Sequence, residues 1–236
     1  MWANELKVWQ KGRTSFRDLT SLFLAQPCVV CDRPTLHPFC LDCYRQVLPA
    51  PVEASVCPTA EHDRLPVMSL GTYDSALKRA ILKLKYSDRP DIARPLGVCL
   101  GQQWQAQWSV PDADRRTKLY AIPIPLHTDR QQARGYNQAE LIARAFCQVS
   151  GLPLLPQGLI RTQATLPMHS LSLPARQQNL VQAFQVGSSL QRAIRPHVLL
   201  IDDIYTTGTT VQSAADTLAQ AGISVRGVLV VARAML

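Results

Sequence analysis

Two stretches of the chain gather residue types that do chemistry at fixed spacing. The first is VLLIDDIYTTGTT, residues 198–210. Four aliphatic residues run into Asp202 and Asp203, and Thr206, Thr207, Thr209 and Thr210 then surround Gly208. Carboxylates accept hydrogen bonds and repel phosphate, whereas hydroxyls and a glycine-opened backbone do the reverse. The combination asks for a ligand whose sugar hydroxyls lie beside a phosphate. Ordinary helix capping explains one Thr or Asp, not six such residues around a glycine. The second stretch is Cys28-x-x-Cys31, followed after eight residues by Cys40-x-x-Cys43. Each pair offers two thiolates to one metal, and two pairs complete a tetrahedral sulfur site for zinc. With all four positions filled by protein, such a zinc is structural. Unligated redox cysteines are the competing reading. His37 and His62 could substitute as ligands, Cys57 has no nearby partner, and Cys99 and Cys147 fall in helix candidates as core residues.

The elements that must position these groups follow from hydropathy. Val198–Ile201 reads as a buried strand that delivers the aspartates at its carboxyl end. Val211, Ala214, Ala215, Leu218 and Ala219 mark one face of the next helix, Gly222 stops it, and Val225–Val231 is a second strand. Strand–helix–strand with a short first turn is a βαβ unit, so a parallel sheet flanked by helices is expected. In such a sheet, ligands bind beyond the carboxyl ends of the strands. A helix opening there suits phosphate, through its unpaired N–H groups. Upstream, 119–126 (LYAIPIPL) is a strand with two prolines at its end or edge, and 137–149 a helix ended near Gly151. Residues 92–107 could form another helix, and 161–179 a long mobile loop. Ala76, Leu77, Ala80, Ile81 and Leu84 give a basic amphipathic helix with Lys78, Arg79, Lys83 and Lys85 around it. A capping pattern at 15–18 suggests a short helix through Phe23.

Composition narrows the partners. The 236 residues are 47% hydrophobic, enough for one large and one small domain, with a boundary expected at 62/63. The formal charge of +8 favours polyanions. From Leu141 to Ile201 there is no Asp or Glu, while Arg144, Arg161, Arg176, Arg192 and Arg195 fall inside that span. Beyond Lys118 every basic residue is arginine, the side chain suited to bidentate phosphate contacts. Compositional bias on a solvated surface is the plainer explanation for any single one of them. The start, MWANELKVWQKGR, lacks an apolar signal core, and no stretch reaches roughly 18 apolar residues, so the expected compartment is the cytoplasm.

Known nucleotide loops do not match. A Walker loop needs a lysine before its Ser/Thr, and a dinucleotide fold needs GxGxxG; neither is present. A receiver domain carries its aspartate pair near its start, not 35 residues from the C-terminus. VLLIDDIYTTGTT instead resembles the phosphoribosyl-pyrophosphate (PRPP) loop of type I phosphoribosyltransferases. Within that superfamily the chain resembles the ComF family, associated with competence and DNA uptake. YDSALKRAILKLKYSDR (73–89), AIPIPLHTDRQQARGYNQAELIA (121–143) and RQQNLVQAF (176–184) carry the likeness onward from the first CxxC.

The resemblance implies an α/β type I phosphoribosyltransferase fold behind a small N-terminal zinc module. Asp202 and Asp203 would hold ribose hydroxyls, and Thr206, Thr207, Gly208, Thr209 and Thr210 the 5′-phosphate. Arg130 and Arg134, ahead of Gly135-Tyr136-Asn137-Gln138, stand where the superfamily binds pyrophosphate. Arg161 and Arg176 are the cations of its flexible flap, and Mg²⁺ accompanies the pyrophosphate. Two departures stand out: Ala60 occupies the place of a partner for Cys57, and Met168 that of a flap glutamine. The expected function is a PRPP-binding transferase with an unassigned acceptor. The alternative is a non-catalytic, PRPP-sensing adaptor that contacts single-stranded DNA and other competence proteins, at the inner-membrane periphery.

Overall fold

Period-two alternation governs the centre of the molecule. The computed structural model describes residues 25–48, 65–107, 118–162, 183–191 and 196–234. A small hairpin of β1 (Gln26–Pro27) and β2 (Pro34–Thr35) leads into α1 (Leu41–Val47). β3 (Val67–Thr72), α2 (Ser75–Tyr86), a 3₁₀ turn (Pro90–Ile92) and α3 (Ala93–Gln107) follow. Then come β4 (Leu119–Pro123), α4 (Thr128–Arg134), α5 (Gln138–Ser150) and the β5 (Leu159–Arg161)–β6 (Phe184–Val186) pair, which is antiparallel. After α6 (Ser188–Gln191) the chain ends in β7 (His197–Tyr205), α7 (Thr209–Gln220) and β8 (Ser224–Arg233).

β3, β8, β7 and β4 lie side by side in that order, and every adjacent pair is parallel. The sheet is buried on both faces, as its continuous aliphatic strands require. Leu199, Ile201, Leu229, Val231 and Ala121 join one core with α2, α3 and α5. Val198, Leu200, Val228, Val230 and Ile122 join the other with α7 and the β5–β6 hairpin. On the first side α3 and α5 approach closely: a Cβ on Gly97 would overlap the Ile142 carbonyl. The apolar stripe of α2 (Ala76, Leu77, Ala80, Ile81 and Leu84) is fully buried, leaving Lys78 and Arg79 outside. Among the described residues no helix is long and apolar enough to cross a membrane.

The expected α/β class is therefore present, and its details sharpen the site. β7 does not stop at Ile201. It continues through both aspartates to Tyr205, because β8 keeps pairing with it: Asp202 lies opposite Val230 and Tyr205 opposite Arg233. On its other side β4 ends at Pro123, opposite Ile201. The Ile124 N–H still donates to the Ile201 carbonyl at 2.8 Å, and beyond it the Asp203 N–H turns to Asp202 Oδ1 instead. The aspartates are held by one neighbour and clear of the other. β3, α1, α4, β5 and β6 carry short or weak patterns and are read only from the structure. The helix expected through Phe23 and most of the loop at 161–179 lie outside the described residues, as does the 62/63 boundary.

Candidate functional site

The thiols of Cys28, Cys31, Cys40 and Cys43 converge, with all four sulfurs within 4.8 Å of one another. The β1–β2 hairpin supplies the first pair. Cys40, at the N-cap of α1, and Cys43, in its first turn, supply the second. Sulfur–sulfur separation is 3.7 Å for Cys31 and Cys40; a tetrahedral ion with bonds of ~2.3 Å sets edges of ~3.8 Å. The Cys40 N–H donates to Cys28 Sγ at 3.3 Å, and Arg33 Nε to Cys31 Sγ at 3.4 Å. Backbone and side-chain hydrogen bonds from Arg33 bring the Cys31 thiol down to about 6. The donor set fits a metal such as zinc. The hairpin is no appendage: Val29, Phe39, Val47 and Leu48 are buried in the same core as α2 and α3. At its rim Asp32 receives Lys83 from α2 at 3.1 Å.

At the sheet end, Gly208 adopts φ +74° and opens α7. Its backbone is in the left-handed region that glycine enters freely. No side chain caps that helix, so the first-turn N–H groups keep their capacity for an anion. Thr207 and Thr209 place their hydroxyl oxygens 2.7 Å apart, and Thr206 and Thr207 are exposed. The Tyr205 ring packs beneath Gly208, with the Arg233 guanidinium 5.4 Å from its centroid.

The two aspartates have different surroundings. Alternation turns Asp203 with Leu199 and Ile201 towards α2. There, buried, its Oδ2 lies 3.0 Å from Lys85 Nζ. Asp202 is half-buried and accepts the Asp203 N–H at 2.8 Å. Burial first, then the neighbouring Asp203 charge, pushes its carboxyl up to about 7, against the pull of that hydrogen bond, Lys85 and Arg161. Arg161, on β5, sits over the Phe184 ring at 5.4 Å. Burial and the charge of Arg130 lower its pKa, while Asp202 opposes them. Lys85 and Arg161 thus bear on the aspartate pair electrostatically, and Arg130 bears on Arg161.

Of the residues singled out in the sequence, the structure gathers Asp202, Asp203, Thr206, Thr207, Gly208, Thr209 and Thr210 on one turn, with Arg161 bearing on it and Arg130 reaching only Arg161. Arg134 is otherwise engaged. It donates to Gln138 Oε1 and lies 5.5 Å over the Tyr86 ring. Arg176 lies outside the described residues. The Gly135–Gln138 turn acts as a brace: Tyr136 Oη donates to the Leu84 carbonyl at 2.5 Å, and Asn137 Nδ2 to the Ile124 carbonyl at 3.0 Å. It ties the end of α2 to the end of β4. Lys85 is the residue that sequence reasoning assigned only to a basic helix face. Its signal was position: it lies in the last turn of α2, where a cation is favoured.

No family model matches the chain. Its likeness to individual proteins is extensive. It is 30% identical to the DNA utilization protein YhgH of Salmonella typhimurium, over 83% of the chain and 78% of that protein. It is 29% identical to competence protein F of Haemophilus influenzae, over 79% and 80%, respectively. With competence protein ComFC of Bacillus subtilis it shares 27% identity over 92% of its length and 81% of the relative's. Similarity at this level through most of both chains settles the kinship: the chain belongs to the ComF family.

Proposed function

We propose that the chain is a PRPP-binding, phosphoribosyltransferase-like protein of competence and DNA uptake, working in the cytoplasm. The names of its relatives support the second half of that reading. One observation carries the first: an uncapped helix opened by Gly208, with paired threonine hydroxyls, beside two carboxylates at a sheet end. The 5′-phosphate takes the loop from Thr206 to Thr210, and the ribose hydroxyls take Asp202 and Asp203. Arg130 and Arg161, with Arg134 and Arg176 as sequence-assigned companions, supply the charge for pyrophosphate. Mg²⁺ supplies further neutralisation of that group when it is bound. A transferase of this kind needs no strong nucleophile; it stabilises departing pyrophosphate and positions an acceptor. Zinc in the Cys28, Cys31, Cys40 and Cys43 site serves folding.

Calorimetry tests the reading. PRPP with Mg²⁺ is expected to bind the wild type, and Asp203→Ala or Thr207→Ala to abolish that binding; equal affinity in both variants overturns the assignment. Screening purine, pyrimidine and amine acceptors for pyrophosphate release then separates transfer from sensing alone.

The second reading, a non-catalytic adaptor on single-stranded DNA and other competence proteins, has its own support. Lys78 and Arg79 are exposed on α2, and Tyr86 is 75% exposed with Arg134 over its ring. An aromatic among cations is a stacking platform for bases. A steep fall in DNA affinity with added salt is its expected mark, and no binding at low salt removes it.

A further inference from the structure

We propose that Lys85 is a ligand-binding residue that exchanges partners, from Asp203 in the empty site to the pyrophosphate of the bound ligand. The proposal rests on the PRPP reading and adds a residue and a division of labour to it. It starts from a conflict of charge. Asp203 has a side chain only 5% exposed, and among the described residues its ion-pair partner is Lys85 Nζ at 3.0 Å. A buried carboxylate without a counter-ion is costly, so the lysine belongs to the empty site. Yet that pairing places an ammonium on the group that sugar hydroxyls would use.

The same geometry offers the exit. Among the described residues Asp203 Oδ2 accepts no aligned hydrogen bond despite the closeness of the ammonium. A hydroxyl donor improves on that arrangement. The Lys85 backbone stays where it is, because the brace pins the preceding residue: Tyr136 Oη donates to the Leu84 carbonyl. The side chain is 18% exposed and sits on a flexible four-carbon stem. It can turn a few ångströms without moving the helix. Hydroxyls are neutral, so Asp203 still needs a cation close by after they arrive. A ligand that brings its own polyanion next to the sugar gives that cation a second partner within reach. Lys85 then turns its direct contact from Asp203 to the pyrophosphate, staying near enough to offset the carboxylate's charge, from the side opposite to the β5–β6 hairpin that carries Arg161.

Titrations with three probes decide this: PRPP with Mg²⁺, inorganic pyrophosphate with Mg²⁺, and ribose 5-phosphate. Lys85→Met is expected to weaken PRPP and pyrophosphate by roughly tenfold or more, the scale of one charge-assisted hydrogen bond, while ribose 5-phosphate changes less than about twofold. Asp203→Asn releases the ammonium. It is expected to tighten pyrophosphate by about threefold or more and to weaken ribose 5-phosphate, and Lys85→Met added to it cancels the gain. Lys85→Arg, which keeps the charge and guards against misfolding, retains most pyrophosphate affinity. Equal losses for ribose 5-phosphate and PRPP in Lys85→Met, or unchanged pyrophosphate affinity in Asp203→Asn, overturn the exchange. Wild-type binding of pyrophosphate that depends on Lys85, without binding of PRPP, overturns the PRPP reading and leaves the lysine assigned. PRPP binding indifferent to Lys85 does the opposite. Binding of none of the probes overturns both.

Discussion

The cysteine cluster and the aspartate–threonine turn are both polar sites, built in opposite ways. The cluster takes its four donors from 16 consecutive residues, Cys28 to Cys43, and closes on itself. The turn takes its hydroxyls and carboxylates from nine consecutive residues, Asp202 to Thr210, but borrows its cations from Lys85 and Arg161. A closed site of local origin stabilises; an open site that imports its charge from other elements is free to select a ligand. The difference predicts that damage to the cluster spreads through the core, and that damage to the turn stays with the ligand.

The largest effect expected from that contrast comes from removing the metal. Structural zinc contributes on the order of 10–16 kcal/mol in small cysteine modules. Purified protein should carry one zinc per chain. Chelation, or joint replacement of Cys31 and Cys43 by serine, should then lower the melting temperature by more than ~10 °C, because Val29, Phe39, Val47 and Leu48 share the core of α2 and α3. A metal-free protein with an unaltered melt would break the comparison. Gly208→Ala ranks next. A Cβ there overlaps the Tyr205 hydroxyl and ring, in a backbone at φ +74°. The expected cost is ~1–3 kcal/mol in denaturant unfolding, together with loss of anion binding.

The smallest effect is a slope with pH. The Asp202 carboxyl titrates at about 7 in the folded chain, against 3.8 ordinarily. Between those values the folded state holds the extra proton, so stability is present at low pH and declines as pH rises towards 7. Asp202→Asn should flatten that decline and be more stable than wild type at pH 8 by ~1–3 kcal/mol, a range discounted for the residue's partial exposure. A steeper decline in the variant would mean that Asp202 is held ionised, and that the turn is more like the cluster than proposed.

What could be read from the sequence follows the same division. The four cysteines and the DDIYTTGTT run announce themselves because their chemistry is contiguous. The α2 and α5 helices show in their apolar spacing, and β7 and β8 in continuous aliphatic runs. Lys85 could not be assigned that way. Its importance depends on α2 packing against the strand that carries Asp203, 118 positions later. Arg134 was legible only as a cation in a glycine-containing turn; that its guanidinium meets Tyr86 and Gln138 depends on how α2 and α5 pack around it. The extent of β7 was also hidden, since hydropathy stops at Ile201 while the backbone ladder to β8 does not.

That overrun of β7 has a mechanical meaning. Residues 202–205 are clamped along one edge by β8, so the main chain under the aspartates is an anvil: it cannot recoil when a ligand presses on it. The elements left to adjust around a ligand are those on the two faces of the sheet, α2 on one and the β5–β6 hairpin on the other. In hydrogen exchange, protection at the paired positions of β7 should therefore be the same with and without ligand, and the signal of binding should come from what surrounds them.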